Sequence, residues 1–259
     1  MQVEAPTKVH NDTGDKFITW HFRSHNFTLM ALWTKFLVEE SQREINGTLV
    51  QSHYMHLDKL DARLAANLHE INILVLSSSR WFFRKIYLYE EGKLIGCIYC
   101  SEDNITSFSV TSVIQRAFRT ALGNLSSRQE SSLQLTVVRT ATPAHFENGY
   151  WNTGGTCNRT EPVGEGTSIS EWEIRNAQVE EANRAQKENN HKGGMNIEIL
   201  DITKAMSMRP DAHPGLHWDN QWMRGYSDCS HWCLPGPIDL WNELLLAVLT
   251  KYRKNLEEQ

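Results

Sequence analysis

The chain has 259 residues, of which 40% are hydrophobic and 22% are charged, and this composition predicts one globular domain over 1–259. The net charge of -5 argues against a nucleic-acid-binding protein, because such proteins usually carry a basic face. No run of 18 or more apolar residues occurs and residues 1–12 lack an apolar signal-peptide core, so the chain is expected to contain no membrane span.

The hydrophobic periodicity of the first half predicts helices and strands in alternation. Leucines that recur every three or four residues indicate a helix over 57–70, and the apolar run 71–77 is typical of a strand buried on both faces. A second helix is expected over 109–123, where Gly123 supplies a C-terminal stop. A second buried strand is expected at 132–140.

The second half continues the alternation and predicts a parallel-rich α/β sandwich. A polar surface helix is expected over 170–190, a strand over 195–203 and an amphipathic helix over 238–252, with a solvated tail after it. Such sheets place functional residues at the carboxyl ends of their strands. The stretch 141–167, rich in Gly, Asn and Thr, follows the strand 132–140 and is long enough to favour a functional loop.

Asp228 and His231 form an acid–histidine pair three residues apart, in the stretch DCSHWCLPG. A helix-like turn would bring both side chains to one side, as a hydrolase triad needs for its acid and its base. The alternative is structural, because Asp228 could cap a short turn. Asp211 and His213 form a second acid–histidine pair, which we interpret as loop structure near the site rather than as a metal site.

The stretch DCSHWCLPGPIDLWNELL, residues 228–245, strongly resembles the C-terminal signature of the plant trichome birefringence-like family. Residues 139–160 (RTATPAHFENGYWNTGGTCNRT) and 20–39 resemble two further blocks of that family, and 56–85 resembles the segment joining them. The resemblance covers essentially the whole chain. It implies a PC-esterase domain, an α/β/α sandwich of the SGNH-hydrolase type, and O-acetylation of cell-wall polysaccharides in the Golgi.

The resemblance assigns Asp228 and His231 to the acid and base of a Ser-His-Asp triad. The family's serine lies in a Gly-Asp-Ser block, and this chain contains no Gly-Asp-Ser. We therefore expect the chain to lack the first strand, the nucleophile turn and the family's N-terminal membrane anchor, and to be inactive as given. Ser77, Ser78 and Ser79 follow a predicted strand, and we interpret them as its end rather than as substitute nucleophiles.

The chemistry of the loop residues suggests candidates that handle substrate, because amide and guanidinium groups can bond sugar hydroxyls and an indole can stack on a sugar ring. Arg139, His145, Asn148 and Trp151 are candidates for the wall of a polysaccharide groove, and the alternative is a loop ordered by glycines and one disulfide. Asn26 resembles a family asparagine near the reaction centre and is a candidate oxyanion donor, although it also lies in a glycosylation sequon. The family reads Ser/Thr-Gly-His-Trp-Phe where this chain has SSSRWFF, so Arg80 replaces a histidine and puts substrate or donor handling there in doubt.

Five cysteines give an odd count, so at least one lacks a partner within the chain. The family resemblance implies a disulfide between Cys157 and Cys229, and it leaves Cys233 unpaired because its usual partner lies upstream. Cys97 and Cys100 are spaced for a local disulfide or remain two thiols, and no further ligands at matched spacing indicate zinc.

Six Asn-x-Ser/Thr sequons point to a lumenal glycoprotein, which agrees with the implied Golgi location. No bound cofactor is expected, and the co-substrate would be an acetyl donor, such as one derived from acetyl-CoA. The acceptor would be a hemicellulose such as xyloglucan, mannan or xylan. The sequence HFENGYWNTGG resembles members that act on xyloglucan or mannan more than the xylan group. Two alternatives remain, a non-catalytic glycan-binding or regulatory relative and a remnant that does not fold.

Overall fold

The computed structural model describes residues 4–14, 16–127, 132–164, 171–192, 194–218 and 224–257. Their strands are β1 (Thr7–Asn11), β2 (Phe17–Phe22), β3 (Phe27–Leu32), β4 (Val38–Ile45), β5 (Thr48–Leu60), β6 (Ile73–Leu76), β7 (Ile86–Glu90), β8 (Lys93–Ile98), β9 (Leu135–Arg139) and β10 (Asn196–Leu200). Their α-helices are α1 (Ala62–Asn67), α2 (Val110–Ser127), α3 (Glu171–Lys192), α4 (Thr203–Ser207) and α5 (Pro237–Glu257). Within these ranges, no helix is long and apolar enough to cross a membrane.

The described residues group into two compact units, the first drawn from 4–71 and 80–132 and the second from 72–79 and 133–257. The first unit contains an antiparallel sheet in the order β1-β2-β3 and a mixed sheet in the order β4-β5-β7-β8. Helix α2 packs on β5, and its buried face carries Ile114, Phe118 and Leu122. Apolar residues that recur every four residues lie on one face of a helix, as a buried helix face requires.

The second unit is built on a parallel sheet in the order β10-β9-β6. Leu135 and Val137 alternate along β9 and are fully buried in a core that also contains Leu200 and Trp232. Helix α5 packs its apolar stripe against this core, and helix α3 contacts β10 and β9. The prediction of an α/β fold with parallel strands is therefore confirmed, and this unit places the carboxyl ends of its strands together.

The expected helix over 57–70 is wrong in its first four residues, because β5 continues through Leu60. Met55 and Leu57 are both buried, which is the period-two alternation of a strand. The helix begins only at Ala62, since the carboxylate of Asp61 accepts hydrogen bonds from the backbone N–H groups of Arg63 and Leu64, each at 3.0 Å. An N-cap of this kind fixes where a helix starts.

Gly123 does not end α2, which continues for four more residues to Ser127. Leu125 is buried, so the last turn of the helix is stabilised by packing that outweighs the poor helix propensity of glycine.

The expected burial of β6 on both faces is also incorrect, since Ile73 and Val75 are 44% and 41% exposed. The antiparallel sheet and the mixed sheet of the first unit had no counterpart among the predicted elements.

The other elements occur with shifted ends. Helix α3 is more buried than the expected surface helix, because its polar residues Gln178, Glu181 and Asn189 are buried. The strand expected at 132–140 is shorter, and Thr203 opens α4 instead of closing β10. The start of the surface helix, Ser170, lies outside the described residues, and α3 is seen from Glu171. The expected solvated tail is helical as far as Glu257, and Tyr252 within it is buried.

Two glycine substitutions test the packing of the first unit. A Cβ on Gly96 would lie 2.3 Å from the Phe108 ring and 2.5 Å from the Thr106 carbonyl oxygen, whereas one on Gly123 would meet nothing within 4 Å. We expect Gly96→Ala to lower the free energy of unfolding by about 1–3 kcal/mol through overpacking. Gly123→Ala should raise it by about 1 kcal/mol, because alanine is the better helix former. Urea unfolding of both variants measures these changes, and equal effects of the two would contradict the packing described.

Candidate functional site

The two carboxylate oxygens of Asp228 have different partners. Oδ1 accepts hydrogen bonds from the backbone N–H groups of Ser230 at 3.1 Å and His231 at 3.0 Å, as an N-capping side chain does. Oδ2 lies 2.7 Å from Nδ1 of the His231 imidazole. This geometry is compatible with both the capping interpretation and the acid–base interpretation of the pair. One oxygen caps the turn, and the turn places the imidazole beside the other oxygen.

The turn is attached to three other parts of the second unit. The backbone N–H and C=O of Asp228 form a two-way bridge with Gly215, with N···O distances of 2.8 and 3.0 Å. The next residue, Cys229, is disulfide-bonded to Cys157, and its carbonyl accepts a hydrogen bond from the backbone N–H of His145 at 3.1 Å. The structure thus contains the disulfide that the family resemblance implied, and it ties the Asp228 turn to the 141–164 loop.

Asp228 is charged and buried at the same time. Its residue is only 6% exposed, and this burial acts to raise its pKa. The hydrogen bonds from the imidazole of His231 and from the N–H groups of His231 and Ser230, with the charge on His231, outweigh the burial and lower the pKa of Asp228 below its ordinary value. The carboxylate is therefore held ionised beside Nδ1 and favours the tautomer in which Nδ1 carries the proton.

The imidazole of His231 is the exposed end of this pair. Its side chain is 78% exposed, while the following residue, Trp232, is buried in the core. In a triad, the ring nitrogen that does not bond to the carboxylate is the one that exchanges a proton with the nucleophile, and in His231 that nitrogen would be Nε2. The pair has the composition and the hydrogen bond of the acid and base of a triad.

Two further histidines, His213 and His145, are linked to the turn by hydrogen bonds. His213 Nδ1 lies 2.6 Å from the backbone carbonyl oxygen of His231, so this nitrogen carries a proton and donates. In neutral His213, Nε2 then accepts, and it lies 2.8 Å from Nδ1 of His145, which donates. Both rings also pack on Trp232, with centroid distances of 4.2 and 5.9 Å. His145 thus contacts His213 and Trp232, next to the turn, and the sequence spacing did not reveal this position.

The loop after β9 closes on itself as a small hairpin. The backbones of Glu147 and Thr156 exchange hydrogen bonds of 2.7 and 3.0 Å. Gly149 has a φ of +144°, and a Cβ on Gly155 would lie 2.6 Å from the Gly149 backbone, so both positions require glycine. The loop is therefore ordered by its glycines and by the Cys157 disulfide, as the structural alternative proposed.

The tip of this loop nevertheless presents aromatic surface. Tyr150 is 71% exposed and Trp151 is 57% exposed. Asn148 is also exposed and has a φ of +58°, a left-handed conformation that asparagine tolerates better than most residues. Order at the base and exposed rings at the tip are compatible, so the two interpretations of the loop do not exclude each other.

Arg139, the last residue of β9, is separate from this tip. Its guanidinium donates from Nη2 to the hydroxyl of Ser77 and lies over the ring of Trp241, with Cζ 4.7 Å from the ring centroid. Burial lowers the pKa of Arg139 to about 10. Ser77 is thus engaged at the end of β6, and the carbonyl of Ser78 accepts from Gln178 of α3 at 3.0 Å, which fits the interpretation of these serines as the end of a strand.

The remaining predicted residues lie outside the Asp228 turn. Asn26 is exposed in the first unit and has a left-handed conformation (φ 45°, ψ 45°) in the β2–β3 connection, and its role as an oxyanion donor stays a prediction. Cys97 and Cys100, also in the first unit, form a local disulfide, while Cys233 is in no disulfide. The described parts of the chain hold no group of three or more His, Cys, Asp or Glu side chains that could bind a metal.

Comparison with known proteins identifies the family of the chain. Residues 1–248 match the family described as PC-Esterase, the GDSL/SGNH-like Acyl-Esterase family found in Pmr5 and Cas1p. The chain is 48% identical over 253 residues to xyloglucan O-acetyltransferase 4 of Populus trichocarpa, and the match covers 96% of the chain and 60% of that relative. It is 40% identical over 255 residues to xyloglucan O-acetyltransferase 2 of Arabidopsis thaliana, covering 96% of the chain and 61% of that relative.

A more distant relative carries the name that the sequence motifs suggested. Protein trichome birefringence-like 20 of Arabidopsis thaliana is 34% identical over 254 residues, covering 94% of the chain and 53% of that protein. The chain thus spans about three fifths of the length of the first two of these relatives and about half of the third. Because the family match covers nearly the whole chain, the chain belongs to the PC-esterase family, GDSL/SGNH-like acyl-esterases found in Pmr5 and Cas1p.

Proposed function

We propose that this chain carries the acid and the base of a polysaccharide O-acetyltransferase site, in which Asp228 orients His231. The observation that carries the proposal is the buried, ionised carboxylate 2.7 Å from Nδ1 of a largely exposed imidazole. The acceptor would be a hemicellulose. Xyloglucan is favoured over mannan and xylan by the relatives that are named xyloglucan O-acetyltransferases.

The reaction would be acyl transfer in two displacements. His231 takes the proton of a serine hydroxyl, the serine oxygen attacks the acetyl carbonyl of a donor, and the leaving group departs with the proton. His231 then takes the proton of a sugar hydroxyl, whose oxygen attacks the acetyl-serine ester. The C–O bond to the serine breaks, and His231 returns the proton to the serine oxygen. The co-substrate would be an acetyl donor such as one derived from acetyl-CoA, and the serine would belong to a Gly-Asp-Ser block that these 259 residues do not contain.

Exposed aromatic rings give specific support to a second function, glycan binding without catalysis. Tyr150 and Trp151 present exposed rings in the loop that the Cys157–Cys229 disulfide ties to the Asp228 turn. Aromatic faces stack on the apolar faces of sugar rings, and the neighbouring Asn148 amide can exchange hydrogen bonds with hydroxyls. The same surface would hold the acceptor in an active acetyltransferase. Glycan binding is therefore one step of acetyl transfer, whereas in a non-catalytic protein it would be the entire function.

We further propose a Golgi location and N-glycosylation. The asparagines of five sequons are exposed, namely Asn11, Asn26, Asn46, Asn104 and Asn158. The sixth, Asn124, is partly buried in α2, where its Nδ2 donates to the carbonyl of Thr120 at 2.9 Å. The exposed asparagines support modification in the secretory pathway, whereas Asn124 is held in a helix and is the poorest acceptor of the six.

Asp228→Asn separates the two roles of the carboxylate. Asparagine still caps the turn, but it places an amide NH₂ or a neutral oxygen beside Nδ1, so the imidazole loses its charged partner. We expect acetyl transfer to a xyloglucan oligosaccharide to fall by about 10³- to 10⁴-fold. The assay uses the protein encoded by the native transcript, with its 5′ end sequenced, beside the 259-residue chain.

Asp239→Asn is the matched control for this measurement. Asp239 is exposed and accepts from the backbone N–H of Gly236 at 2.7 Å, with no imidazole attached. It should leave the transfer rate nearly unchanged. An acetylated serine formed by the 259-residue chain would disprove the assignment of the nucleophile to a Gly-Asp-Ser block, and full activity of Asp228→Asn would disprove the role of the dyad.

The stability of the chain should depend on the charge of Asp228. The folded-state pKa is lowered, so the ionised carboxylate stabilises the fold above its unfolded pKa of about 3.9, and this contribution is lost as the pH falls through the folded value. We expect the wild-type chain to be more stable than Asp228→Asn at pH 6 and the difference to shrink steadily below about pH 4. Urea unfolding across this range measures it, and a difference independent of pH would show that the charge is not engaged.

Trp151→Ala tests the loop tip as a glycan surface. Removing one stacked ring should weaken the binding of xyloglucan oligosaccharides by about 5- to 10-fold, which corresponds to roughly 1 kcal/mol or slightly more. Tyr99→Ala is the control, because Tyr99 is 58% exposed and lies in the other unit. Calorimetric titration of the 259-residue chain gives both affinities. Equal weakening by the two substitutions, or binding unchanged by Trp151→Ala, would remove the loop tip from the acceptor surface.

A further inference from the structure

The side chain of His213 contacts a part of His231 that Asp228 does not hold, the backbone carbonyl group. We propose that His213 is a positioning residue for His231, because its imidazole fixes the peptide group that follows the base. This proposal rests on the proposed function in treating His231 as the base. The contacts that carry it are hydrogen bonds and ring packing within the second unit.

Hydrogen bonds hold three different groups of His231. Its backbone N–H donates to Oδ1 of Asp228 at 3.0 Å, and its ring Nδ1 lies 2.7 Å from Oδ2 of the same carboxylate. Its carbonyl oxygen lies 2.6 Å from Nδ1 of His213. A peptide group is planar and turns as one body, so a bond to its carbonyl oxygen restrains the ψ angle of His231. Asp228 therefore restrains the preceding backbone and the ring, and His213 restrains the backbone that follows.

The backbone on either side of His213 is itself attached to the Asp228 turn. The carbonyl of Ala212 accepts a hydrogen bond from the backbone N–H of Cys233 at 3.1 Å. Gly215 and Asp228 exchange backbone hydrogen bonds of 2.8 and 3.0 Å. His213 lies between these two attachments and is only 8% exposed. Its imidazole therefore reaches the carbonyl from a backbone that is bonded to the same turn.

Two neighbours set the orientation of the His213 ring. It packs on Trp232 with a centroid distance of 4.2 Å and an interplanar angle of 39°. Its Nε2 lies 2.8 Å from Nδ1 of His145. A carbonyl oxygen only accepts hydrogen bonds, so Nδ1 of His213 carries a proton, and Nε2 of the neutral ring accepts from His145. This network assigns the neutral tautomer with the proton on Nδ1 to both histidines.

The alternative is that His213 only fills space beside Trp232. Filling space requires a ring of this size, whereas positioning requires a hydrogen-bond donor at the δ position of the side chain. Two substitutions separate these requirements. His213→Asn keeps a donor at the δ position, the amide nitrogen, but removes the ring, and His213→Phe keeps a ring but removes the donor. If the hydrogen bond positions His231, the asparagine variant preserves that position and the phenylalanine variant does not.

The ¹⁵N NMR shifts of the imidazole nitrogens show which nitrogen carries the proton, and they are measured in the 259-residue chain at a pH where the rings are neutral. We expect the proton on Nδ1 in His213, His145 and His231. In His213→Phe the turn is held less firmly and the His231 ring can leave Asp228. The ratio of the Nδ1–H to the Nε2–H tautomer of His231 should therefore fall by about 2- to 10-fold, the effect of one lost hydrogen bond.

Two further variants complete the measurement. His213→Asn should keep the tautomer ratio of His231 within about twofold of the wild type, because the donor to the carbonyl is retained. His217→Phe is the matched control, since His217 is exposed in the same segment, and it should leave the ratio unchanged.

Acetyl transfer by the protein encoded by the native transcript gives a second readout. His213→Phe should lower kcat by about 2- to 10-fold and leave KM for a xyloglucan oligosaccharide unchanged, because His213 acts on the base and not on the acceptor. His213→Asn should restore kcat. An unchanged kcat in His213→Phe would overturn the proposal.

Three NMR results would also overturn it: the proton on Nε2 of wild-type His213, equal His231 tautomer ratios in the wild type and His213→Phe, or a loss shared by His213→Asn. If His213→Phe does not fold, His213→Leu replaces it, since leucine also lacks the donor, and the wild-type tautomers decide the matter whichever variants fold. The NMR readout requires no acetyl transfer. Full activity of Asp228→Asn would therefore disprove the proposed function, while the tautomers would still decide whether His213 positions the His231 ring.

Discussion

The carboxylate of Asp228 is the group on which the rest of the site depends. One oxygen fixes the backbone of the turn and the other fixes the ring that the turn carries. A carboxylate accepts several hydrogen bonds at once, whereas a neutral amide must give up one acceptor for donors. This difference explains why an acid suits the position better than asparagine, although either residue would cap the turn. A single side chain, that of Asp228, therefore fixes both the backbone and the ring of His231.

Other segments of the second unit hold the Asp228 turn in place. The disulfide between Cys157 and Cys229 joins residues 72 apart, and closing a loop of that length removes about 4 kcal/mol of chain entropy from the unfolded state. The Gly215 bridge and the hydrogen bond from His145 add two further attachments. His231 and the exposed rings of Tyr150 and Trp151 lie just beyond the two ends of the loop that this disulfide closes, so the disulfide links the two segments that carry them.

The parallel sheet and the dyad could be predicted from the sequence because their signals are local. Buried strands such as β9 are continuous apolar runs, and Asp228 and His231 lie three residues apart in a cysteine-fenced turn. The boundary of α1 was missed because leucines at helical spacing also fit a strand, and only the cap at Asp61 decides where the helix starts. The support from His213 could not be foreseen, since its partners are the carbonyl of His231 and the ring of His145, 18 and 68 residues away.

Trp232 links the chemistry of the site to the stability of the fold. It is buried among Leu135, Val137 and the residues of α5, and its ring touches both His213 and Trp241, with centroid distances of 4.2 and 6.4 Å. The residue before it, His231, is largely exposed. Adjacent residues on a tight turn point in different directions, so burying the indole turns the imidazole outward. The hydrophobic effect that packs Trp232 into the core therefore also holds the imidazole of His231 at the surface.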